Sequence, residues 1–140
     1  MVNNIVSKFD PTVSPLCTFC NQEVETIQHL FFYCNVSRQF ICNACDWFNF
    51  YGFGIKLSET QDYDFLFIQR SRNRNFCHFV IFQHIKHFLW IKRCYKVLPN
   101  MEAFKKWLMK EFRLLAECIR EYPRLRFIDT LVQAWNLGLV

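Results

Sequence analysis

Apolar residues in this chain recur mostly at helical spacing. Val36, Phe40, Ile41, Ala44, Trp47 and Phe48 mark one face of a helix over 36–50, which Gly52 and Gly54 stop. Ser58 and Gln61 form a capping-box pattern that opens a short helix to about Ile68. A long helix is predicted over 75–97, apolar around most of its circumference and ended by Pro99. Asn100 is placed to cap the next, where Met101, Phe104, Leu108, Phe112, Leu115, Ile119 and Tyr122 form one apolar stripe before Pro123. A last helix runs over 125–137 before Gly138. Residues 1–14 read as an extended lead-in, because Pro11 and Pro15 oppose a helix. The expected fold is mostly α, with about four to five helices after the N-terminal region.

One window breaks the helical pattern with a different logic. Cys17, Cys20, His29 and Cys34 are spaced C-x2-C-x8-H-x4-C. Two thiols three positions apart on a tight turn point at one ion, and the later imidazole and thiol close a tetrahedron, the geometry of structural zinc. Thr26 is placed to cap a short helix that turns Ile27, Leu30 and Phe31 inward and carries His29, with Cys34 just past its end. One structural Zn2+ is the expected cofactor. A sphere closed by four protein ligands leaves no position for a reacting water, so the site organises structure and no catalytic residue is assigned. The chain divides on this reading into the lead-in 1–14, a CCHC zinc-binding subdomain over 15–50 and a basic helical region over 51–140.

Composition narrows the class. Of 140 residues, 52% are hydrophobic, enough for a real core, while three Gly and four Pro argue against a turn-rich β fold. Seventeen Phe must fill that core or face a partner. Eight Cys suit a disulfide scaffold only in a secreted chain, and the first residues lack the pattern of a signal peptide. Cys42, Cys77, Cys94 and Cys118 fall in apparent helices beside apolar neighbours, so a reducing intracellular setting, nuclear or cytoplasmic, is expected. The longest uncharged stretch in the apolar middle, 75–85, is too short to span a membrane. Net charge is +5 but unevenly placed: residues 1–64 carry −4 and residues 65–140 carry +9. A basic half invites a polyanion, most simply RNA or DNA, with little sequence preference. The candidate phosphate contacts are Arg70, Arg72, Arg74, Lys92, Arg93 and Lys96 around the long helix, and Lys106, Lys110 and Arg113 on the following one.

The stretch Pro15-Leu16-Cys17-Thr18-Phe19-Cys20 with Glu25-Thr26-Ile27-Gln28-His29-Leu30-Phe31-Phe32-Tyr33-Cys34 resembles the zinc-binding domain that follows the reverse transcriptase of LINE-type (non-long-terminal-repeat) retrotransposons. The resemblance is specific over 15–50 and looser through 122. It implies a zinc-binding, nucleic-acid-binding accessory module that holds RNA and DNA for target-primed reverse transcription, with Cys17, Cys20, His29 and Cys34 as ligands. No polymerase or endonuclease motif is present, so the chain reads as a C-terminal remnant of such a polyprotein and not as an enzyme. A reverse transcriptase body is then a further possible partner.

Rival readings of several residues stay open at this level. Cys17, Cys20, Cys42 and Cys45 would make an all-thiolate set, although the second pair falls within an apparent helix. His78, His84 and His87 are metal ligands only if a third ligand faces them, and otherwise packing or surface residues. A Cys–His nucleophile built on Cys77 or Cys94 lacks any local signature. Phe19 and Tyr33 either stack on unpaired bases or pack under the metal. The same chain would also serve as a scaffold that packs against a polymerase body without touching nucleic acid.

Overall fold

The computed structural model describes residues 1–55 and 76–138. Its elements are α1 (Asn3–Val6), a π-helical turn (His29–Tyr33), α2 (Asn35–Phe50), α3 (Phe76–Cys94), α4 (Met101–Ala116), a 3-10 turn (Pro123–Arg126) and α5 (Phe127–Asn136). The mostly helical expectation holds, and the described residues contain no strand beyond one isolated antiparallel bridge, Leu16 to Val24. The helix expected over 58–68 and the connector with Arg70, Arg72 and Arg74 lie outside the described residues.

Helix α2 matches its predicted span within a residue. Its end is a paired-bond cap: Gly52 N–H donates to Asn49 O and Phe53 N–H to Phe48 O, with Gly52 at φ 85°. The Phe48 and Phe53 rings then meet edge to face at 5.7 Å, sealing the turn with an apolar contact.

Helix α3 ends three residues before the expected limit of 97. Lys96 takes the left-handed conformation at φ 55°, Lys96 N–H bonds Arg93 O, and Val97 N–H reaches Lys92 O. That cap terminates the helix ahead of Pro99. Helix α4 begins as predicted, with the Asn100 side chain accepting from Ala103 N–H at 2.8 Å. It ends at Ala116 instead of continuing to Tyr122. Residues 117–121 are turns whose bonds include Cys118 N–H to Leu115 O and Glu121 N–H to Cys118 O. Glu117 and Glu121 oppose the negative end of the helix dipole, and Pro123 bars its neighbour Tyr122 from helical geometry. The lead-in is not extended throughout, since one helical turn forms at α1.

Phe104 joins three helices. Its ring lies 5.3 Å from Phe40, 5.2 Å from Phe88 and 6.3 Å from Phe48, in edge-on or tilted contacts. Helix α5 packs against α4, burying Ile128 and Leu131, and its Phe127 ring lies 6.4 Å from Phe112. The buried residues described form one cluster that reaches the metal window through Cys17, Phe19, Leu30, Phe32 and Cys34.

Candidate metal centre

Two local structures bring the four donors together. The first is a loop closed at its base by Cys17 N–H to Glu23 O, 2.8 Å, and Glu25 N–H to Pro15 O, 2.9 Å. At its tip Asn21 sits at φ 54°, a conformation Asn tolerates better than most residues, and Asn21 N–H bonds Cys17 O. This turn presents the Cys17 and Cys20 sulfurs on one side.

The second is the π turn. In an α-helix, residues five apart point about 140° away from each other. A π turn bonds i to i+5 and stacks them. Here Cys34 N–H donates to His29 O at 2.7 Å, so His29 and Cys34 share a side. The cap expected at Thr26 forms, its Oγ accepting from His29 N–H at 2.9 Å. Leu30 is fully buried, but Ile27, predicted to turn inward, is 47% exposed because the wider turn rotates the inward face.

The donor atoms of Cys17, Cys20, His29 and Cys34 all lie within 4.8 Å of one another. Cys17 Sγ and Cys34 Sγ are 3.8 Å apart, and Cys20 Sγ is 3.3 Å from His29 Nε2. Thiolates bound at about 2.3 Å to a tetrahedral zinc sit about 3.8 Å from each other. The donor set and its spacing therefore fit one structural zinc, which these four residues would hold.

Electrostatics prepare the sulfurs. The Cys17 thiol, bonded to Cys34, draws the Cys34 thiol well below its ordinary range. Burial opposes this, and the Ser37 and Val36 amides at the start of α2 assist it. Cys17 is pushed up in turn by its bond to Cys34 and by burial. Metal ligation needs these sulfurs as thiolates, so zinc binding releases protons from the site.

Neither member of the rival thiol pair joins the cluster. Cys42 is exposed, and Cys45 is buried in α2 with its thiol pushed up to about 12, mainly by burial. The histidines of α3 have packing partners. His78 Nε2 lies 2.8 Å from Phe53 O, His84 Nδ1 lies 2.7 Å from Val80 O, and the exposed His87 meets the Trp107 ring. Cys77 is half-buried and Cys94 exposed. Phe19 is buried with the core, whereas Tyr33 is 68% exposed.

The candidate phosphate contacts fare differently from one another. Lys96, Lys106, Lys110 and Arg113 are exposed, Lys106 pairing with Glu102 and Arg113 bonding Asn136. Lys92 is half-buried with its ammonium over the Phe88 ring. Arg93 is turned inward against Glu25, Nη2 to Oε1 at 2.7 Å, with side chains 13% and 0% exposed. Sequence reasoning gave Glu25 no role, yet it is the buried acid nearest the metal turn. Its only sequence signal is position inside the resemblance motif.

Residues 1–40 match the family model described as zinc-binding in reverse transcriptase. The matched stretch contains all four donors and ends within α2. No curated protein matches the chain, and no solved structure does. Among the described residues, no helix is long and apolar enough to cross a membrane.

Proposed function

We propose, from the match to zinc-binding in reverse transcriptase, that this chain is a non-catalytic, zinc-stabilised nucleic-acid-binding module of retrotransposon origin that holds RNA or DNA for target-primed reverse transcription. The observation that carries the reading is the four-donor cluster inside the matched stretch. A sphere filled by three sulfurs and one imidazole has no place for a hydrolytic water, so the zinc serves shape. Exposed bases on α4 (Lys106, Lys110, Arg113) and Lys96 past α3 supply phosphate contacts, with Arg70, Arg72 and Arg74 as further candidates. Arg93 pairs with Glu25 and Lys92 lies over the Phe88 ring, so the reading leans on the exposed bases.

Binding of labelled single-stranded RNA and DNA, followed by fluorescence anisotropy across a salt series, tests the proposal. Log affinity is expected to fall with log salt at a slope of about −0.7 per phosphate contacted. The double variant Lys110→Glu, Arg113→Glu should weaken binding at least tenfold. Absence of binding at low salt, or binding indifferent to salt, contradicts the nucleic-acid role.

A second reading is favoured by exposed apolar side chains: Tyr95 at 77%, Leu98 at 57%, Leu114 at 57%, Tyr122 at 61% and Leu137 at 74%. They suit a domain that packs against a reverse transcriptase body. It predicts self-association of the isolated chain and no salt-dependent affinity for nucleic acid.

A further inference from the structure

We infer that Glu25 is a positioning residue for the metal site, and that its ion pair with Arg93 couples metal occupancy to the last turn of α3. The Glu25 carboxylate accepts four N–H bonds. Oε2 takes Thr18 N–H at 2.8 Å, and Oε1 takes Asn3 N–H at 2.8 Å, Arg93 Nε at 3.0 Å and Arg93 Nη2 at 2.7 Å. Thr18 lies between the donors Cys17 and Cys20, so anchoring its amide fixes the turn from which both sulfurs project. The Asn3 side chain repeats the clamp, accepting from Arg93 Nη2 and donating to Leu16 O, each at 2.7 Å.

Helix α3 grips the other half of the site as well. The Arg93 guanidinium lies 5.3 Å from the Trp90 ring, which stacks on Phe31 at 6.5 Å. Phe31 belongs to the π turn between His29 and Cys34. One turn of α3 therefore reaches the segments that carry both donor pairs, through a charged bridge to Glu25 on one side and an aromatic contact with Phe31 on the other. Groups that orient metal-holding residues typically contribute 10–100-fold in metal affinity. By reciprocity, the metal must favour docking of this turn by the same factor.

The inference rests on the zinc reading and is tested with the full chain by Zn2+ competition against a chromogenic chelator. Glu25→Gln and Arg93→Gln should each weaken Zn2+ about 10–100-fold. Glu102→Gln, which breaks the exposed pair with Lys106, should leave affinity unchanged. The double variant Glu25→Arg, Arg93→Glu should not recover affinity, because the reversed pair leaves Thr18 N–H without its acceptor.

A purely structural ion pair would lower stability equally with and without metal and leave the bound geometry alone. The coupling instead predicts a larger loss of melting temperature in the Zn2+-saturated form. It also predicts a shifted ligand-field absorption in the Co2+-substituted Glu25→Gln variant. If Arg93→Gln does not fold, Arg93→Lys, which keeps the charge and loses the fork, is measured in its place. Wild-type Zn2+ affinity in the folded Glu25 and Arg93 variants, with an unchanged Co2+ spectrum, overturns the inference. A wild-type chain that binds no Zn2+ removes the site itself, whatever the variants do.

Discussion

Lys96 holds a backbone conformation that costs a side-chain-bearing residue about 1 kcal/mol or more and glycine almost nothing. Lys96→Gly should raise stability by about 0.5–1 kcal/mol, read from chemical denaturation, and an unchanged midpoint would contradict the cap described here. His84 makes a second prediction. Burial depresses its pKa below the usual 6.5, opposed by its bond to Val80 O and by Glu111 and reinforced by His87. The unfolded chain therefore takes up the proton first as pH falls, so this stabilisation is complete above the unfolded pKa and lost on acidification below it. His84→Gln should lose less melting temperature than wild type between about pH 8 and about pH 5.5, and parallel losses would contradict that assignment. At this scale the sequence was informative where chemistry demands spacing: the intervals x2, x8 and x4 named the four clustered residues. It was silent on Glu25 and Arg93. They lie 68 positions apart, and neither carries a mark that distinguishes a buried, paired charge from a solvated one.

The metal window depends on the π turn more than on any helix. Inserting one alanine after Phe32 adds a residue between His29 and Cys34 and rotates the imidazole away from the sulfur. Zn2+ affinity should fall at least tenfold by chelator competition, and an insertion tolerated without loss would show that the turn is not what aligns the two donors. The turn was not legible in advance, because periodicity distinguishes a helix from a strand but not one helical pitch from a slightly wider one. Helix interiors were read well for α2 and α4, whose apolar residues repeat on one face. Helix ends were read less well. Lys96 stopped α3 where a glycine would have announced the cap, and α4 gave way before its apolar stripe ran out.

At the scale of the molecule, most phenylalanines among the described residues gather in one core. Phe104 ties α2, α3 and α4 through Phe40, Phe48 and Phe88. Phe104→Ala should cost about 3–5 kcal/mol, much of the stability a domain of this size possesses, as measured by urea unfolding of the zinc-bound protein. A loss under about 1 kcal/mol would place the true hub elsewhere. The same core reaches beneath the metal window, where the account places one zinc held by Cys17, Cys20, His29 and Cys34. X-ray absorption at the zinc edge of the purified protein tests that claim most directly. Three sulfurs at about 2.3 Å and one nitrogen at about 2.0 Å, with one sulfur lost in Cys34→Ser and none in Cys42→Ser, is the result expected. Four sulfurs, a bound water oxygen, or no zinc in a fully folded protein would contradict it.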